Sequence, residues 1–144
     1  MSAQEDNQPR TLYEIACAYL NGEIPLPYFE DSTPKVRAVI LDFVPEAQGI
    51  IRELEQEAEH YDSVVTLWSY VRSLAEVLFP SLEEGKSDLI RRCLLAAEEL
   101  LGYSSLCVRE FVEEQAVEDF DYLLVNVREL CGPRVLAILE RRAS

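Results

Sequence analysis

The stretch from Asp88 to Phe120, DLIRRCLLAAEELLGYSSLCVREFVEEQAVEDF, decides the fold class. Ile90, Cys93, Leu94, Ala97, Leu100 and Leu101 recur at helical spacing, Gly102 interrupts the run, and Val108, Phe111, Val112, Ala116 and Phe120 resume it. The pattern predicts a helical hairpin. On its second arm Glu110, Glu113, Glu114, Glu118 and Asp121 share, at about 100° per residue, the face opposite the apolar stripe. No Lys or Arg lies between Glu110 and Asp121. The expectation is a core face backed by an acid face.

Working outward, Val64, Leu67, Trp68, Val71, Leu74, Ala75 and Leu78 give the cleanest helical period of the chain, capped by Asp62 or Ser63 and ended by the turn after Pro80. This is the expected central helix. With the hairpin it predicts a core of Leu67, Trp68, Val71, Leu74, Leu94, Ala97, Leu101, Val108 and Val112, and Ser87 is expected to cap the hairpin's first arm. Upstream, Thr33 before Pro34 starts a short helix with Val36, Val39, Ile40 and Phe43 inward. Pro45 restricts Val44, ends that helix and opens the next, which turns Ala47, Ile50, Ile51, Leu54, Ala58 and Tyr61 inward and Glu53, Glu55, Glu57 and Glu59 largely outward. The segment GEIPLPYFEDSTP carries too many prolines for regular helix. Thr11 starts a helix reaching Asn21-Gly22, and residues 1–10 read as a flexible tail.

Downstream, Asp121 restarts or continues a helix through Leu123, Val127 and Leu130. Gly132-Pro133 then stops one helix and starts the last, whose Arg141 and Arg142 suit its negative end. No stretch alternates Val, Ile and Thr between hairpin turns. The sequence therefore predicts one all-α domain over 11–144, a compact bundle or short stack of antiparallel helical hairpins with seven to eight helices.

Nearly half of the 144 residues are apolar, enough for a core without staples. Thirteen basic against twenty-seven acidic residues give a net charge of −14, which disfavours nucleic-acid phosphates and anionic lipid and favours basic partners. No run approaches the ~18 apolar residues of a membrane span, and no apolar signal follows the first residues, so the expected location is cytoplasmic. Cys17, Cys93, Cys107 and Cys131 are scattered in apolar contexts without a CxxC pair, as core thiols in a reducing compartment would be.

Little in the chain carries chemistry. Its single histidine, His60, sits at a glutamate-rich helix end and is a poor base for a Ser or Cys nucleophile. Glycines form no phosphate cradle. The pairs Glu83-Glu84, Glu98-Glu99 and Glu113-Glu114 lack an ExxH companion and read as solvated faces, and Arg91-Arg92 and Arg141-Arg142 are too sparse for a nucleic-acid footprint. The expectation is a non-catalytic binding module without cofactor or metal.

Three segments resemble a family of small bacterial helical domains found among the immunity proteins of polymorphic-toxin and contact-dependent-inhibition systems. LDFVPEAQGIIRELEQE is similar to the family's early "cPEf...w.e.l" helix. Leu67 through Phe120 is similar to its hallmark pair of helices, with Val108 beginning the second arm and Glu118 before its end. LCGPRVLAILER is similar to its terminal "lGP.s...w..l" helix. The match covers roughly 41–142, and Phe111 and Val112 stand where the family often has alanine. The resemblance implies a protein that binds and neutralises a cognate toxin, with no catalytic residues. An acidic inhibitor suits a basic nuclease groove and associates with it quickly. The acid row of Glu110, Glu113, Glu114, Glu118 and Asp121 is the first candidate interface, and the Glu55 and Glu59 region the second. Two other classes stand beside this reading: a helical-repeat-like adaptor or regulator, which would show an exposed apolar groove, and an enzyme using clustered carboxylates with a metal.

Overall fold

The computed structural model describes Glu14, Cys17, Ala18 and residues 20–22 and 32–143. The expected tail and most of the expected first helix and proline-rich loop lie outside these residues. Among the described residues from 32 onward the chain forms six continuous helical runs and no strand. We call them α1 (Thr33–Phe43), α2 (a Pro45–Ala47 3-10 turn leading into Gln48–His60), α3 (Leu67–Glu84), α4 (Ser87–Leu100), α5 (beginning with Leu106–Val112 and continuing to Leu130) and α6 (Pro133–Ala143). All-α is right, and these six runs stand against the seven to eight helices expected for the whole chain, the first of which falls mostly outside the described residues. At Asp121, where the sequence allowed a restart or a continuation, the helix continues: the backbone changes pitch there and keeps its hydrogen bonding.

The breaks that do occur have local causes. Val44, at φ −131° and ψ 72°, leaves the helical region before Pro45 and separates α1 from α2, in keeping with the bar on helical conformation for a residue preceding proline. Thr66, and neither Asp62 nor Ser63, caps α3, accepting from the Ser69 N–H at 3.2 Å. Gly85, with φ +68°, closes α3 in the left-handed conformation. Pro80 lies inside α3, which runs past the expected stop to Glu84. The Ser81 hydroxyl donates to the Val77 carbonyl at 2.7 Å in the same turn. Lys86, and not Ser87, occupies the position before α4, without a side-chain cap.

Helix α3 is the centre, packed by α1, α2, α4 and α5, while α6 closes the far side against α4 and α5. Leu67, Val71, Leu74 and Leu78 are fully buried on α3, as are Ile40 of α1, Ile51 of α2, Ile90 and Leu94 of α4, Val108 and Val112 of α5 and Leu139 of α6. Two expected core positions are corrected. Trp68 is 39% exposed, and Leu101 is only half-buried. Tyr70 takes the inward place, because its ring lies in the core while its hydroxyl reaches the Glu55 carboxylate at 2.6 Å. Val64 and Tyr61, expected inward, precede the cap and are exposed. Cys93 and Cys107 are buried thiols and Cys17 and Cys131 half-buried ones; burial pushes the Cys93 thiol up to about 12 and Cys131 to about 11.

Two polar contacts tie distant segments together. The Arg92 guanidinium on α4 donates to both oxygens of Glu46 at 2.7 and 2.6 Å, to the Phe43 carbonyl at 3.2 Å and to Asp88 at 3.0 Å. Its hydrogen bonds hold the Glu46 carboxyl down at about 2. Glu98, also on α4, accepts from the Arg134 and Val135 N–H groups at 2.9 to 3.1 Å and so caps the first turn of α6 from another helix. Gly132 makes room for it: a Cβ there would stand 2.5 Å from Glu98 Oε1.

Candidate functional site

The acid row lies on α5, whose geometry is irregular where the row is densest. Residues Glu113–Val117 form a π turn, followed by a 3-10 turn at Glu118–Phe120, the four-residue α segment Asp121–Leu124 and a 3-10 stretch at Val125–Leu130. Gln115, Ala116 and Val117 are consecutive and all buried. On α geometry three neighbours fan over about 200°, a spread that α3 buries at 73–75 where the flanking residues are the small Ser73 and Ala75; here the flanks are the larger Gln115 and Val117, and the wider π turn advances less per residue and narrows the fan. The Glu118 N–H accordingly reaches back to the carbonyl of Glu113, five residues earlier.

That change of pitch spreads the row. Glu114 is exposed, while Glu110, Glu113, Glu118 and Asp121 are half-buried along the edge where α5 meets α6. Arg141 donates to Glu113, and Arg142 donates to Asp121 at 2.8 Å and to Glu118 at 3.3 Å. The row is free of basic residues in sequence and is nonetheless partly neutralised in space. The arginines expected to serve the negative end of α6 thus also serve α5. Asp121 is held below the usual carboxylate range by its hydrogen bond from Arg142. Glu110 behaves oppositely: burial first, and then the charges of Glu113, Glu118 and Glu114, raise its pKa against the pull of Arg109. Between α5 and α6 a groove of about 330 Å³ has Leu101, Leu106 and Ile138 as its floor and Glu110, Glu113 and Arg141 on its rim.

The second candidate region is organised differently. Glu55 is half-buried rather than outward, and its carboxylate accepts from Arg37 at 2.7 and 3.1 Å as well as from Tyr70. The hydrogen bond from Arg37 outweighs burial and lowers the Glu55 pKa, while burial and the facing Glu55 push Tyr70 up to about 12. Glu59 is exposed and shares with Arg37, Glu55, Val64 and Tyr70 a cleft of about 520 Å³. Glu55 and Glu59 lie apart from the α5 row, since α2 packs chiefly on α1 and α3 whereas the row meets the arginines of α6.

Sequence reading missed Gln115. It is 2% exposed on α5; its Nε2 donates to the Trp68 carbonyl at 3.3 Å and its Oε1, shielded from solvent, has no donor. The available signal was its spacing: seven residues from Val108, four from Phe111 and three from Val112, Gln115 stands on the apolar stripe of an α wheel. Among the described residues no three His, Cys, Asp or Glu side chains converge as a metal-binding group, and no helix is long and apolar enough to cross a membrane. Comparison of the chain with family models, curated proteins and solved structures gave no match.

Proposed function

We propose that the protein is a non-catalytic binding module that neutralises a basic protein partner, as an immunity protein does its toxin, through the acidic edge of α5. The observation that carries this reading is the imbalance there. Five carboxylates of the row face two guanidiniums from α6, leaving Glu110 without a hydrogen-bonded cation among like charges and Glu114 exposed without an ion pair among the described residues. A basic surface docked on this edge relieves the repulsion around Glu110, and the net charge of −14 steers such a partner toward it. The resemblance to immunity-protein domains supports the same assignment and makes a toxin with a basic substrate groove the favoured partner.

The test uses the full chain as bait in a lysate of its source cell, with the captured protein identified by mass spectrometry. A basic toxin domain is expected, with association slowed several-fold at low salt when Glu114→Lys is introduced and much less at high salt, where screening removes the long-range attraction. Capture of an acidic partner, or an association rate unmoved by that substitution at low salt in a protein of unchanged thermal stability, overturns the reading.

A further inference from the structure

On the side of α5 turned toward α3, away from the paired row, a second cleft of about 360 Å³ is lined by Arg72, Glu76, Phe79, Gln115, Asp119 and Phe120, among others. We infer that this cleft is a docking site for the guanidinium of an arginine side chain on a protein partner. Four observations meet there. Gln115 is 98% withdrawn from solvent and keeps an unpaired carboxamide oxygen, which asks for a donor. Asp119 is exposed and has no ion pair among the described residues, so it offers an uncompensated charge at the mouth. Phe79 and Phe120, stacked on each other with centroids 5.3 Å apart and planes 21° apart, both line the cleft and offer aromatic surface to a planar cation. The π turn that carries Gln115 is a backbone irregularity found more often at functional sites than in plain scaffolding.

The chemistry selects among cations. A guanidinium has five N–H donors in a rigid plane, so one edge serves Gln115 Oε1 while another serves Asp119 and a face lies on the phenyl wall; an ammonium has no plane to stack. The chain's own candidate, Arg72, lines the cleft but is taken up by its helix neighbours: its guanidinium lies 5.7 Å from the Trp68 ring centroid and its Nε 3.9 Å from Glu76. The source is a protein side chain, because a chain of net charge −14 draws basic surfaces and a single guanidinium in a shallow cleft gains useful affinity only as part of a larger contact.

The inference does not depend on the α5–α6 edge, and its test uses probes that never touch the unidentified partner. The ¹⁵N-labelled full chain is titrated with an acetylated, amidated Gly-Arg-Gly peptide, with the citrulline and lysine counterparts, and with free arginine. Saturable shifts at the Gln115 side-chain amide and at 75–80 and 115–120 are expected with the arginine peptide. Binding should be about tenfold weaker for lysine and citrulline, and about tenfold weaker in Gln115→Met and in Asp119→Asn. Asp119→Asn is exposed and leaves the fold intact, so it keeps the test decisive should Gln115→Met repack. Non-saturating shifts spread over the acidic surface, equal responses to arginine and citrulline, or a response unchanged in both variants overturn the site. Tighter binding of free arginine than of the peptide overturns the protein partner as its source.

Discussion

The two longest helical runs, α3 and α5, solve the same packing problem in different ways. In α3 the large side chains Leu67, Tyr70, Val71, Leu74, Val77 and Leu78 recur every three or four residues and the other buried positions, Ser73, Ala75 and Ser81, are small, so one α pitch buries them all from the Thr66 cap to Gly85, even across Pro80. In α5 the buried residues bunch at 107–108, 111–112 and 115–117, and the backbone answers with α, π and 3-10 turns in succession. A regular period gives a rigid axle. A bunched period gives a helix whose pitch changes along its length, and both the α5–α6 edge and the Gln115 cleft lie where it changes.

The sharpest way to break the comparison is at the axle. Leu74→Ala removes a fully buried side chain from α3 and should cost about 2–5 kcal/mol, read as a fall in the urea midpoint with the slope unchanged. Trp68→Ala, on the rim of the same helix, should cost clearly less; equal losses would mean that the indole is as enclosed as Leu74. The next cut falls where α5 hands over to α6. Glu98→Ala uncaps α6 and should cost about 1–2 kcal/mol, and Gly132→Ala should cost a similar amount because the new methyl displaces the same carboxylate. The double variant should lose little more than either single one, and additive losses would dissolve the link between them.

The irregular helix makes the opposite prediction. Gln115→Met replaces an amide whose oxygen is buried and unpaired with an apolar side chain of similar shape, and should raise stability by about 1 kcal/mol in thermal unfolding. A loss of stability would show that the amide is a structural part of the π turn. The smallest effect concerns pH. Glu46 titrates in the folded protein at about 2, lowered from 4.5, so its contribution is present above 4.5 and is lost as pH falls through that window. Glu110 has the reverse sign: its raised pKa means that protonation favours the folded state, so stability at neutral pH should rise slightly in Glu110→Gln. Unfolding profiles of Glu46→Gln and Glu110→Gln that shift in the same direction at neutral pH would contradict these assignments.

What sequence could show follows the same division. The boundary at Val44-Pro45, the Gly132-Pro133 restart and the stripe through Leu67, Val71, Leu74 and Leu78 are local, because each rests on residues within a turn or two of one another. Trp68 was misplaced because a 100° wheel leaves it beside Leu67, and only the Glu55 carboxylate, arriving from α2, makes room for the Tyr70 hydroxyl in its stead. The acid row was legible as composition, yet its partners Arg141 and Arg142 lie more than twenty residues away in sequence. Glu98 looked like one of many solvated glutamates for the same reason. Gln115 stood on the apolar stripe at helical spacing and was passed over because it is polar, whereas the burial of Val117, opposite Val108 on an α wheel, needed the π turn.

Arg92 carries a consequence for how the chain assembles in time. Its contacts to Phe43 and Glu46 join residues 49 and 46 positions apart, at the elbow between α1 and α2. Those two helices can form early as local structure, already joined by the Arg37–Glu55 pair, but the clamp on the Phe43 carbonyl and Glu46 at the elbow itself is missing until α4 arrives. During synthesis that clamp therefore waits until the chain through α4 has emerged, and on refolding its formation reports a long-range encounter rather than helix formation.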